Sequence, residues 1–201
     1  MLDLLARPAT ALAYLSVAFV MVFLWPTVRL RMKSGVNAFV LAKGDSAEAI
    51  VSRWFKATMA ALFITLLMAT FLTAPWDQLG AIALPWPMVR LIAGWIILAL
   101  ALLTITLAQA HMGSSWRIGI DEKTTLLREN GLFAYSRNPI FLGMRGILLG
   151  LFLLMPNAVS LAILLLGETL MQIQVRFEEA HLERIHGQRY HDYRSHVRRW
   201  V

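Results

Sequence analysis

Two runs of residues carry most of the side chains able to do chemistry. The first is "GLFAYSRNPIFLG", Gly131–Gly143, and the second "RFEEAHLERIHGQRYHDYRSHVRRW", Arg176–Trp200. Pro139 stands where a first-turn proline is tolerated, and Asn138 directly before it is placed as an N-cap. Arg137 is thereby held beside a helix N-terminus, a position suited to an anion. In the second run Arg176 precedes the adjacent carboxylates Glu178 and Glu179. Arginine stays protonated, so Arg137 and Arg176 can orient an anion but cannot act as bases. A plain interfacial anchor calls for lysines and aromatics; paired glutamates beside arginines point to a site.

Two further charges, Arg145 and Glu168, fall inside apolar sequence. Arg145 lies 11 residues before Pro156 and Glu168 lies 12 after it. In a helical hairpin that turns at Pro156 both sit about 16 Å from the turn, at roughly 1.5 Å per residue. A lone charge at mid-bilayer costs at least about 2.5–3.5 kcal/mol, so the two are expected to pair or to line a cavity, with Gln172 extending its polar wall. Other features point away from chemistry. His181, His186, His191 and His196 recur every five residues; on a helix that turns each by about 140° from the last, so no metal site is expected. There is no cysteine, hence no disulfide, thiolate nucleophile or cysteine metal site. "GILLG", Gly146–Gly150, has the spacing that lets membrane helices approach closely. No glycine-rich nucleotide loop is present.

The elements that must position these residues are membrane helices. Of 201 residues 58% are hydrophobic and 15% charged, more apolar surface than a soluble domain of this size can hide. The net charge of +7 lies between apolar blocks, which marks membrane-surface charge and not a nucleic-acid face. Apolar blocks run roughly from Ala9 to Val28, Ala57 to Ala74 and Met88 to Ala110, each near the length of a crossing. A fourth region, Ile140 to Gln174, is too long for one span and breaks at "MPN", Met155–Asn157. The reading is an all-α integral membrane bundle of about five transmembrane helices, the last two a tight hairpin, followed by a cytoplasmic amphipathic helical tail broken at Gly187. Residues 1–110 form a three-helix membrane region and 111–201 the catalytic region. Arg29, Arg31, Lys33, Lys43, Arg53 and Lys56 mark the first loop as inside, as do Arg117, Lys123, Arg128 and Arg137 the third and the arginines of the tail. The second loop and the "MPN" turn carry no basic residue, so the N-terminus is expected outside and the tail in the cytoplasm.

"YSRNPIFLG", then a helical hairpin, then "RFEEAHLERIHGQRYHDY" resembles the membrane-embedded methyltransferases typified by isoprenylcysteine carboxyl methyltransferase and the phospholipid methyltransferases. The likeness runs from about Met112 to Trp200 and includes "MGSSWR". It implies methyl transfer from S-adenosyl-L-methionine to a lipophilic or membrane-embedded acceptor, in a cavity between the last helices and the tail. Cofactor-holding roles would fall to Tyr135, Arg137, Asn138, Pro139, Gly143, Glu178 and Glu179, and catalytic roles to Arg137 and Arg176. Arg145, Glu168 and His111 would border the acceptor. A carboxylate acceptor needs no base, whereas an amine or thiol would call on His111 or a tail histidine. Asn138, Phe141 and His186 depart from the histidine, tyrosine and phenylalanine of the family pattern. Asn-Pro at this place also occurs in sterol reductases, so an NADPH-dependent membrane reductase and a non-catalytic membrane subunit are the alternatives.

Overall fold

An apolar segment in lipid must satisfy its own backbone, and a helix is the local way to do so. The computed structural model describes residues 2–35, 44–72, 79–113 and 126–201. Lys43, Arg117 and Lys123 of the loop-charge reading, and Ser114–Arg117 of "MGSSWR", lie outside those residues. Among the described residues there are eight α-helices and no strand beyond one isolated bridge, Ala81 to Asn157.

A short α1 (Leu2–Leu5) precedes α2 (Pro8–Phe19), a widened π-turn (Val20–Leu24) and α3 (Trp25–Ser34). α4 covers Ala47–Phe71, α5 Pro87–Met112, α6 Pro139–Leu154, α7 Ala158–His186 and α8 Gln188–His196. Four segments are long and apolar enough to cross a membrane: Pro8–Met32, α4, α5 and α7. The helical hairpin is present, yet α6 has 16 residues. That gives about 24 Å, short of a hydrocarbon core of about 30 Å. The expected five crossings thus become four helices of spanning length and one shorter apolar helix.

Helix ends follow caps more than hydropathy. α4 begins well before the expected Ala57, because Ser46 caps it by accepting from the Ala49 N–H at 3.1 Å. Arg53 and Lys56, read as loop residues, therefore lie on the helix. α7 likewise does not stop near Gln174 but carries Arg176, Glu178 and Glu179 out to His186, and it ends at Gly187 with φ 51°. At the "MPN" turn Asn157 and Ser160 form a reciprocal capping box. The turn is pinned from outside, the Ile82 N–H donating to Pro156 O and the Ala158 N–H to Gly80 O, both at 2.9 Å.

Glycines set the closest approach, between α5 and α6. A Cβ on Gly143 would fall on Ile105 and 2.9 Å from Ala101 O; one on Gly146 would meet Ala101 Cβ at 2.9 Å. One on Gly150 would lie 3.0 Å from Gly94 O. "GILLG" is therefore a packing surface of the kind its spacing suggests. Around it Leu15, Leu62, Leu66, Leu98, Leu151 and Ile163 bury a core shared by α2, α4, α5, α6 and α7. Buried polar groups are tied across helices. Pro26 has no N–H to offer Val22 O four residues earlier; Gln109 Nε2 of α5 donates to that carbonyl at 2.7 Å. Tyr14 OH donates to Leu98 O at 2.7 Å, and Trp95 Nε1 to Leu5 O at 3.1 Å.

Overpacking a close helix contact costs about 1–3 kcal/mol. Gly143→Ala is expected to lose stability of that order, seen as a lowered thermal midpoint in detergent. An unchanged midpoint would show that the α5–α6 contact yields freely.

Candidate functional site

The hairpin geometry brings the start of α6 and the far part of α7 to the same end of the bundle. Arg137 lies just before α6, after a 3-10 turn at Gly131–Ala134. Its Nη2 is 3.0 Å from Glu179 Oε1, and both side chains are 8% exposed. A second guanidinium closes on the same carboxylate: Arg199 Nε donates to Oε1 at 3.0 Å and Nη2 to Oε2 at 2.7 Å. These bonds to Glu179 raise the pKa of Arg199, against the opposing effect of burial.

The backbone around Arg137 holds the same tail residues. The Arg137 N–H donates to Arg198 O at 3.0 Å. Ser136 Oγ and Asn138 Nδ2 both donate to Arg199 O, at 3.3 and 3.2 Å. Asn138 does occupy the N-cap position, but its side chain makes no cap bond and is turned to the tail instead. Pro139 is buried at the first turn as expected.

α8 carries those tail residues to the site. Gly187 lets the chain turn out of α7, and Tyr190 and Tyr193 then pack with Leu127 beneath Leu182 and Val197. Tyr193 OH donates to Phe133 O at 2.7 Å. Burial pushes the Tyr190 hydroxyl up to about 12, with the Glu179 carboxylate adding to the rise. Tyr190 therefore stays a neutral hydroxyl at physiological pH. Its oxygen and Arg137 Nε are buried and have no hydrogen-bond partner among the described residues.

Other expected site residues fall elsewhere. Arg176 does not join Arg137: it is exposed and donates to Gln172 O at 2.6 Å. Glu178 accepts from Gln174 Nε2 at 3.3 Å and pairs with no arginine among the described residues. The expected two guanidiniums and two carboxylates are thus two guanidiniums on one carboxylate, with Arg199 where Arg176 was expected. The reason is rotation: adjacent residues on α7 are about 100° apart, so Glu178 and Glu179 cannot share a face. Tyr135 is 76% exposed. Gly143 faces Ala101 and Ile105 of α5. His111 sits in the last turn of α5, its ring against Gly131 and its Nδ1 accepting from the Leu132 N–H at 3.4 Å.

Arg145 and Glu168 do pair, Nε to Oε2 at 2.6 Å, and Gln172 Nε2 donates to the other carboxylate oxygen at 2.8 Å. The Arg145 guanidinium also lies 4.4 Å from the centroid of the Trp200 ring. An apolar cavity is lined by Phe19, Phe55, Met59, Met144, Leu148 and Met171 among others, with Thr58 its polar contributor; Arg145, Glu168 and His111, expected to border the acceptor, are not in its lining. Sequence reasoning missed Arg199, Trp200, Ser136 and Tyr190. The doubled "RR" before Trp200 was a visible signal, but only the chain path through α8 shows where it lands.

A helical membrane protein with two arginines on one buried glutamate at one end of its bundle is what these features define. Comparison with known families then places the chain: residues 89–189 match the phospholipid methyltransferase model. The chain belongs to that family, and it is an integral membrane protein. No curated relative and no solved structure matches it.

Removing one member of a buried pair strands its partner at about 3–5 kcal/mol, an upper bound for Arg145 and Glu168, which are each about a third exposed. Arg145→Leu is expected to destabilise the protein strongly, while Arg145→Leu with Glu168→Leu recovers much of the loss. A double-mutant cycle on thermal unfolding in detergent checks this; additive losses would show the two charges to be uncoupled.

Proposed function

We propose that the chain is a methyltransferase that uses S-adenosyl-L-methionine and modifies a lipophilic, membrane-embedded acceptor. The observation that carries this reading is Glu179, buried between Arg137 and Arg199 inside and just beyond the segment that matches the family. The donor set suits the cofactor's methionyl end. Glu179 accepts from an ammonium or a hydroxyl, and the unpartnered Arg137 Nε and Tyr190 hydroxyl can serve a carboxylate. When bound, the cofactor supplies an already activated methyl group on a sulfonium.

The chain's part is then to hold, align and dry the reactants. Placing a nucleophile about 3–3.5 Å from its target can contribute roughly 7–11 kcal/mol. Arg137 orients an anionic group, Asn138 and Pro139 fix the loop that carries it, and Glu179 sets the position of the cofactor. The apolar cavity between Phe19, Met59, Leu148 and Met171 suits the hydrocarbon part of an acceptor that arrives from lipid. Roles for Arg176, Glu178, Tyr135 and Gly143 rest on the family resemblance, and one for His111 on the need for a base if the acceptor is an amine or a thiol. A cytoplasmic site, and an N-terminus outside, follow from the loop charges and the positive-inside rule.

Purified protein in detergent is expected to bind S-adenosyl-L-methionine saturably and NADPH not at all. Saturable binding of NADPH alone would favour a reductase, and binding of neither a non-catalytic subunit. Loss of a charged hydrogen-bond partner costs about 1.5–3 kcal/mol, so Glu179→Gln should weaken the cofactor's binding by about 10–100-fold. Unchanged affinity in a folded variant would remove Glu179 from the site. Following a labelled methyl group into lipid extracts identifies the acceptor.

A further inference from the structure

α8 ends at His196, and Val197 leaves it in an extended conformation. The four residues that follow belong to no helix, yet they are held at several points. The Arg198 carbonyl takes the Arg137 N–H, and the Arg199 carbonyl takes both Ser136 Oγ and Asn138 Nδ2. The Arg199 guanidinium grips both oxygens of Glu179, and Trp200 stacks on Arg145. This stretch lies beyond residue 189, where the family match ends.

Glu179 receives three close N–H or ion-pair contacts, two of them from Arg199. A carboxylate has room for about four donors. The two arginines differ in exposure and in the backbone that carries them. Arg137 is anchored at the head of α6 and is 8% exposed, whereas the Arg199 side chain is 29% exposed and hangs from irregular backbone. A cationic group approaching Glu179 meets Arg199 as the partner that can leave.

We infer that Val197–Val201 is a strap over the site, and that Arg199 is a built-in stand-in for a ligand ammonium at Glu179, displaced when that ligand binds. The inference rests on the methyltransferase reading in naming the ligand. The chain therefore carries its own competitor, and binding of the ligand's cationic end is coupled to release of the strap. Because Trp200 stacks on Arg145, lifting the strap also removes a neighbour from the Arg145–Glu168 pair.

The full chain in lipid nanodiscs tests this. It has no cysteine, so Val201→Cys accepts a single spin label. Saturating S-adenosyl-L-methionine is expected to mobilise the label. Arg199→Gln in the same background should mobilise it without ligand and bind the cofactor about tenfold more tightly, within the roughly 5–150-fold range of ordinary coupling. Arg199→Lys, which keeps the charge but loses the fork, should fall between. A label that stays immobile on the cofactor-saturated protein overturns the strap. So does weaker binding by Arg199→Gln, which would make Arg199 a ligand of the cofactor. If the unsubstituted chain binds no S-adenosyl-L-methionine, the methyltransferase reading fails on its own. Label mobility in Glu179→Gln then decides the strap: freed supports it, unchanged overturns it.

Discussion

A carboxylate removed from water costs several kcal/mol unless its charge is met at short range, and Glu179 is such a carboxylate. It is met by Arg137 from the head of α6 and by Arg199 from beyond α8. That one demand joins three stretches distant in sequence: the loop before α6, the far part of α7 and the chain's last residues. The loop has little helix of its own, and its conformation is held by what it touches. Its carbonyl at Phe133 takes Tyr193, and its Arg137 N–H and its Ser136 and Asn138 side chains take the tail's carbonyls. Without the carboxylate at their centre, two like charges would face each other at this rim.

The rest of the bundle can be understood as what keeps that rim in register. α6 is short, so its depth beside α7 has to be fixed by specific contacts. At one end the "MPN" turn is tied to Gly80 and Ile82. Midway, Arg145 reaches Glu168. Along one side the glycines of α6 let Ala101 and Leu98 of α5 approach to contact. A shift of α6 by one residue would move Arg137 by about 1.5 Å, enough to spoil a 3.0 Å pairing with Glu179.

Much of this was legible in the sequence because membrane helices announce themselves by composition, and because a charge in lipid must have a partner. The depth match of Arg145 and Glu168 needed only the position of Pro156 and the helical rise. Proline at the head of α6, the glycine break at Gly187 and the small-residue stripe were likewise local properties. What was not legible depended on rotation and on the path of the chain. Adjacent glutamates look alike in sequence, yet a helix points Glu178 to Gln174 and Glu179 to the arginines. Arg176 and Arg199 are equally plausible partners by type, and the turn into α8 decides between them. The early start of α4 and the unbroken run of α7 from its apolar part into the charged tail were hidden because hydropathy marks where lipid begins, not where a helix does.

Charge arithmetic at the rim adds a last constraint. Two guanidiniums share one carboxylate, which leaves one positive charge unmatched in this cluster. Arg137 Nε and the Tyr190 hydroxyl, both buried, add donors without acceptors among the described residues. Such groups are costly to leave unmet, so the cluster favours an occupant with an acidic end. Glu179 in turn gives a basic end somewhere to bind, once Arg199 has moved. A simple anion would cancel the surplus with Arg199 in place, whereas a ligand carrying both kinds of group would do so once Arg199 has left Glu179. Under the proposed reading, the methionyl end of S-adenosyl-L-methionine has that pair of charges. The strap is consistent with the same demand: a carboxylate whose second cation comes from the ligand when the site is filled needs another when it is empty, and Arg199 is in place to be that one.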